Sequence, residues 1–235
     1  MATVDLCCLA NSRKLQGRCV AGIDFAQGCW VRPVSRLENH ILTYRHYQLP
    51  PPLWETKVFD QVRIELEGPC PECHHPEDCY IGSASWELLQ RPSMPEELKN
   101  LHDRLEPFLT QCEYLFGTPE DRISFESFKI APALASLALA RVEQLWFKTT
   151  DHDGKRKNRV HFSCNGHAYN LSLTDPAWEH KLALMPPASY PAAKLDIPAN
   201  AEIWMTLSLG EPYQGECYKL AATIMVWERG SGNKD

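Results

Sequence analysis

The residues of this chain whose types and spacing suit chemistry fall in four short stretches. The first is Asn11-Ser12-Arg13-Lys14, with Arg18 just beyond it and Trp30 and Arg32 one apolar segment later. Lys and Arg neutralise phosphates, and Asn and Ser hold a ligand in register through short donors. A tryptophan face stacks a base for roughly 1–3 kcal/mol. The alternative is a plain hairpin in which Asn11 and Ser12 shape a turn, the cations are solvated and Trp30 packs in the core.

The second stretch is Cys70-Pro71-Glu72-Cys73-His74-His75, with Cys79 close behind. Cys70, Cys73, His75 and Cys79 form a candidate tetrahedral zinc set, although structural zinc sites draw their ligands in pairs from two separated elements. The other reading is a loop whose His75-Pro76-Glu77 segment serves the fold or a ligand pocket. The third stretch is Lys155-Arg156-Lys157-Asn158-Arg159 after Asp153-Gly154. It reads either as a hairpin finger gripping a phosphate backbone or as a solvated hairpin tip. The fourth is the pair His167/Tyr169 and Asp175/Trp178, where an acid–base couple competes with a turn at Asp175-Pro176 flanked by core aromatics. No serine-protease triad order, phosphate-binding loop or dinucleotide fingerprint is present in the sequence.

The elements that must position these groups are mostly strands. VDLCCLA, RCVAGIDF, CWVRPVS, KVFDQVRIELEG and CYIGSA are short, rich in Val, Ile and Cys, and bounded by Gly, Pro or polar clusters. The proline-rich YQLPPP at 47–52 cannot continue a ladder. Residues 93–117 carry the one helical signature: Ser93 as cap, Pro95 in the first turn, and Leu98, Leu101, Leu105, Leu109 and Cys112 at helical spacing. Pro107 is expected to kink or break that run. Strands then return in SLALARVEQLWFKTT, RVHFSC, AYNLSLTD, EIWMTLSLGEP and CYKLAATIMVWE, with turns at Asp153-Gly154 and Asn165-Gly166. Arg159, His161 and Ser163 alternate with Val160, Phe162 and Cys164, the pattern of a half-buried strand.

The fold class expected is mainly β: two OB-like β-barrels joined by a short helical segment. The first barrel spans 1–90, a helical connector 91–130, the second barrel 131–230 and a disordered tail 231–235. Apolar residues at 44% and charged residues at 23% describe a soluble globular chain. No apolar run reaches membrane-spanning length, and the N-terminus lacks a basic leader, so a cytoplasmic location is expected. Ten cysteines in such a compartment read as buried thiols rather than disulfides. The net charge of -6 opposes bulk attraction to nucleic acid, but residues 1–48 hold six Lys/Arg against three acids, whereas residues 60–130 hold six against fifteen. A locally positive surface is therefore compatible with the acidic total.

The run LANSRKLQGRCVAG, then WVRPVS, HPEDCYI, YNLSLTDPAW and SLGEPYQGECYKLAATI, resembles the bacterial dual OB-fold family over nearly the whole chain. The resemblance implies two OB-type barrels and a part in bacterial conflict and defence systems. The function expected is non-catalytic binding of single-stranded DNA or RNA, as an accessory to a nuclease or helicase partner. In that reading Arg13, Lys14, Arg18 and Arg32 contact phosphates, Asn11 and Ser12 position the ligand, Trp30 stacks, and Lys155, Arg156, Lys157 and Arg159 form a second grip. One alternative is an enzyme acting on a nucleotide or modified base, with Glu77 as base, His75 beside it and Lys14 as electrostatic stabiliser. The other is a protein-interaction scaffold using the acidic helical segment. No cofactor is expected apart from the candidate zinc.

Overall fold

A computed structural model describes residues 2–227. The expected tail at 231–235, and the last residues assigned to the second barrel, lie outside the described residues. The chain divides into two units, one formed by residues 1–108 and 124–137, the other by residues 109–123 and 138–235. The helical segment expected over 91–130 is thus shared between them.

The first unit is built on five strands: β1 (Ala2–Lys14), β2 (Gly17–Asp24), β3 (Cys29–Val34), β4 (Gln61–Pro69) and β5 (Asp78–Ile81). They run in the order β1-β2-β3-β5-β4, and β4 pairs back onto β1, which closes the barrel. The pair β3–β5 is parallel while β1–β2, β2–β3, β4–β5 and β1–β4 are antiparallel. Closure removes the two unpaired edges an open sheet would leave. Alternate residues fill the interior: Val4, Leu6 and Cys8 from β1 meet Val20, Val31, Val62 and Ile64. Full burial of such side chains contributes about 1.5–3 kcal/mol each. Between β3 and β4 lies the short helix α1 (Tyr44–Tyr47). Its approach is close: a β-carbon on Gly17 would sit 2.4 Å from the Leu42 carbonyl oxygen, so only glycine fits there.

The helix α2 (Pro95–Leu105) follows, continued by a 3-10 turn at Glu106–Phe108. Met94, not Ser93, is the N-cap residue, and the Glu97 carboxylate accepts from the Ser93 and Met94 amides at 2.9 and 3.0 Å. The break expected at Pro107 is present, but in place of a second short helix over 108–117 only a 3-10 turn forms, at Leu115–Gly117. Leu109 instead forms a parallel bridge with Leu139, because proline withholds the amide that a continuing helix needs. A further helix, α3 (Phe125–Ile130), leads into the second barrel's first strand.

The second unit repeats the plan with β6 (Leu137–His152), β7 (Lys155–Cys164), β8 (His167–Leu173), β9 (Glu202–Tyr213) and β10 (Glu216–Trp227). The order is β6-β7-β8-β10-β9 with β9 beside β6 and β7 pairing back onto β6, and β8–β10 is the parallel pair. Helix α4 (Pro176–Ala183) fills the link between the third and fourth strands. Both expected tight turns are present. Asp153 and Gly154 have φ of 49° and 70°, and Asn165 and Gly166 have 51° and 80°, the left-handed conformation that two-residue hairpins require. Two closed five-stranded barrels of identical strand order, joined by a short helical segment, are the architecture of this chain.

Candidate nucleic-acid interface

In an OB barrel the outer face of the second and third strands, with the loop joining the first two, is where oligonucleotides bind. The two basic stretches singled out above occupy that loop in each barrel: Arg13 and Lys14 end β1, and Lys155 and Arg156 begin β7. Their surroundings differ.

In the first barrel the start of β2 is covered by the chain's own backbone. The Arg18 amide donates to the Leu42 carbonyl at 2.8 Å and the Leu42 amide returns the bond at 3.0 Å. Asn11 Nδ2 donates to the Thr56 carbonyl at 2.7 Å, and buried Ser12 donates to the Cys19 carbonyl at 3.4 Å. These two side chains hold strands and loop together. Trp30 is half-buried opposite Ile23, whereas Arg13 is exposed and Lys14 half-buried.

Arg32 is not a surface cation. It is 1% exposed, its Nη1 donates to Asp78 Oδ1 at 3.1 Å, and its Nη2 donates to Ser136 Oγ at 2.8 Å. Ser136 Oγ in turn donates to Glu77 Oε2 at 2.6 Å, and Glu77 Oε1 accepts the Ser136 amide at 2.8 Å. Arg32 therefore ties β3 to β5 and to the 133–137 segment, and the expectation that it reaches a phosphate is corrected by that burial. Glu77, the candidate base, has both oxygens engaged in the same network. His75 is buried with its ring 4.0 Å from that of His74.

The zinc set does not assemble. Among the described residues, no trio of His, Cys, Asp or Glu ligand atoms within 4.8 Å of one another includes Cys70, Cys73 or Cys79. Cys79 packs against the apolar interior of the first barrel, and burial pushes the Cys70 thiol up to about 11. The strand period turns Cys79 toward the barrel core.

The fourth stretch also serves the fold. Asp175 is the N-cap of α4, accepting from the Ala177 and Trp178 amides at 2.9 and 3.5 Å, and its other oxygen takes the Ile224 amide at 3.0 Å. Burial pushes its carboxyl above the ordinary value against those three bonds. Tyr169 accepts from the Leu115 amide at 3.0 Å, and Trp178 donates to the Ile224 carbonyl at 3.1 Å. His167 lies against Tyr114 with ring centroids 4.3 Å apart.

The second barrel presents a different face. Along β6, β7 and β8 one set of side chains points inward (Phe147, Thr149, Asn158, Val160, Phe162, Tyr169, Leu171) and the alternate set outward. Register aligns the outward set in rungs: Trp146 opposite His161 opposite Asn170, then Lys148 opposite Arg159 opposite Ser172, then Thr150 opposite Lys157, then His152 opposite Lys155. Directly opposed residues in an antiparallel pair stand about 4.5–5.5 Å apart at Cβ, so each rung is one contiguous strip. None of these rung positions carries a carboxylate; the acids nearest them are Asp121, paired with Arg159, and Glu143, opposite Ser163. Trp146 is 47% exposed.

Within this face the cations divide by what holds them. Arg159 is pinned across β8, its Nε donating to Asn170 Oδ1 at 2.7 Å and its Nη1 to Ser172 Oγ at 3.2 Å, with Asp121 at 3.3 Å from Nη2. Arg156 points to the other side, donating to Asp151 at 2.5 Å and to the carbonyls of Leu182 and Met185 at 3.2 and 2.8 Å. It fastens the hairpin to the end of α4 rather than offering charge to solvent. Lys148, Lys155 and Lys157 are exposed. His161 is pushed below its ordinary value, first by burial and then by Lys148 and Arg159. Its buried Nε2 has no hydrogen-bond partner among the described residues.

The hairpin finger is thus reduced to Lys155 and Lys157, and the structure adds Trp146, Lys148, His161 and Asn170, which were not singled out from the sequence. The signal for Trp146 and Lys148 lies in WFKTT, where they occupy the polar phase of the alternation. Such a face can neutralise a backbone with lysines, stack a base on Trp146 and orient a strand through Asn170.

A family model described as a dual OB-containing domain matches residues 4–224. No curated protein and no solved structure matches the chain.

Proposed function

The chain belongs to the dual OB-containing domain family, and on that premise we propose that it binds single-stranded nucleic acid across the outer face of β6, β7 and β8. The single observation that carries this reading is the carboxylate-free set of rungs headed by exposed Trp146 and ending in Lys155 and Lys157. Lysines on a flat face supply sequence-independent attraction to phosphates, and an aromatic platform accepts any base. Small polar side chains at Asn170 and Ser172 favour orientation over chemistry, so the role is binding without catalysis. From the family resemblance, that binding serves a bacterial defence system, as an accessory to a nuclease or helicase.

The test is fluorescence anisotropy of a labelled single-stranded oligothymidine and its RNA counterpart at low salt. Binding should weaken about 5- to 100-fold on Trp146→Ala, the loss of one stacked base. Failure of both strands to bind at 50 mM salt would refute the reading.

A further inference from the structure

The first unit contains a surface cleft of about 400 Å³, within the span of roughly 300–1,000 Å³ usual for small-molecule sites. One wall comes from the segment after β3 and from α1, carrying Arg36, Arg45 and His46. The facing wall is the loop after β5, with Ser83 and Ser85, and Trp86 closes one side. Nothing in the proposed role of the second barrel uses these groups.

Their hydrogen-bonding states converge on one kind of ligand. Arg36 donates through Nε and Nη2 to Glu67 Oε2 at 3.2 and 2.6 Å and lies 4.1 Å from the centre of the Tyr80 ring. That pair holds Arg36 in place and cancels its charge. Arg45 is exposed and has no ion-pair partner among the described residues, so it is the uncompensated cation of the cleft. The His46 Nδ1 accepts the Thr43 amide at 3.0 Å, which places the ring proton on Nε2. Burial also pushes this imidazole below its ordinary value, which favours the N–H donor over the cation. Ser83 and Ser85 are exposed hydroxyls opposite. A guanidinium fork, an imidazole N–H and two hydroxyls from two walls match the oxygens of a tetrahedral anion.

We infer that this cleft binds a phosphomonoester, with Arg45 as its charge partner and His46, Ser83 and Ser85 as neutral donors. A phosphate with one attached sugar or ring is of the size the cleft holds. The same group is carried by a free mononucleotide and by the 5′ end of a strand, and the experiment separates the two.

The probes are AMP, followed by calorimetry and by phosphorus NMR, and a short oligothymidine with or without a 5′-phosphate. AMP should bind the wild-type chain and lose at least tenfold in affinity in Arg45→Glu. Arg45, exposed and without an ion pair among the described residues, should leave the urea midpoint nearly unchanged when replaced. Ser83→Asp, which sets a carboxylate in the opposite wall, should weaken AMP in the same way and serves if Arg45→Glu is poorly folded. Trp146→Ala should leave AMP binding intact, so that failure of the second-barrel reading and failure of this one are distinguishable. If AMP is not bound but the 5′-phosphorylated strand binds at least tenfold better than its hydroxyl twin, and Arg45→Glu abolishes the difference, the ligand is a strand end. If AMP is not bound and the two strands bind alike, or if Arg45→Glu and Ser83→Asp both bind AMP as the wild type does, the inference is wrong.

Discussion

Replacing Arg32 by methionine distinguishes a buried structural cation from a ligand contact. Methionine fills a similar volume without charge, and it leaves the Asp78 carboxylate, itself 1% exposed, without the guanidinium 3.1 Å away. Removing one partner of a buried ion pair costs about 3–5 kcal/mol, and the His40 and His75 rings, each 3.8 Å from Asp78 Oδ2, offset part of that loss. The Ser136 hydroxyl keeps its bond to Glu77, so little further loss is expected from that side. At a denaturant slope of about 2 kcal/mol per molar urea, the unfolding midpoint of the first unit should fall by at most roughly 1.5–2.5 M. The assay is urea unfolding followed by circular dichroism, with Arg32→Met/Asp78→Leu as its partner. Replacing both charges by apolar groups should recover at least half of the loss, since buried pairs exchanged whole for apolar side chains are often neutral. Nucleic-acid affinity of the folded fraction should be unchanged. A variant that unfolds at the wild-type midpoint yet loses affinity for a single strand would refute the assignment and return Arg32 to the ligand surface.

Three further outcomes follow from the second barrel. With Lys148, Lys155 and Lys157 each displacing a counterion, affinity for a single strand should fall about 20-fold between 50 and 200 mM salt, and only about threefold in Lys155→Ala/Lys157→Ala, as read by anisotropy against salt. Burial first, and then Lys148 and Arg159, hold the His161 imidazole below its ordinary value, and an approaching phosphate, by offsetting the two cations, should raise it. Binding should therefore strengthen as pH falls from 7.5 to 5.5, and His161→Gln should remove that dependence. Buried Lys219 donates to the Leu115 carbonyl at 2.6 Å and to that of Thr118, and burial lowers its ammonium from 10.5 to about 8. The unfolded chain binds the extra proton between those two values, so this residue makes stability rise with pH across about 8 to 10.5, by roughly 3 kcal/mol. The difference in urea midpoint between wild type and Lys219→Met should change through that window; a constant difference would refute the assignment.

Strand identity was legible where one face of a strand is buried and the other wet. RVHFSC and the first six residues of AYNLSLTD lie in β7 and β8, whose burial alternates, whereas VDLCCLA and most of CWVRPVS lie in β1 and β3, nearly continuously buried strands legible from their Val, Leu and Cys content and flanking turn residues. Turns at Asp153-Gly154 and Asn165-Gly166 were legible for the same local reason: few residue pairs tolerate positive φ twice in succession. The helix beyond Pro107 was misjudged because it rested on spacing along the chain, while the close spacing of the candidate zinc ligands already told against that set. Leu109 was claimed instead by Leu139, thirty residues on, and Cys79 was turned into the barrel interior by its own strand.

The candidate site divides along the same line. Lys155 and Lys157 were visible from their type and position beside a turn. Trp146, Lys148 and Asn170 became a site only through register, which aligns three successive hairpin strands rung by rung and turns one phase of each outward. Arg32 and Arg156 look like surface cations in one dimension, but Asp78 and Ser136 lie 46 and 104 residues from Arg32, and the Leu182 and Met185 carbonyls lie 26 and 29 residues from Arg156. By itself, then, the sequence determined which segments are strands and where they turn, since those depend on neighbours two or four residues apart, while the kind of barrel they build came from the resemblance of motif blocks along the whole chain. Which cations reach solvent and which are consumed inside was decided by the tertiary structure alone, because burial and pairing are properties of residues brought together by barrel closure.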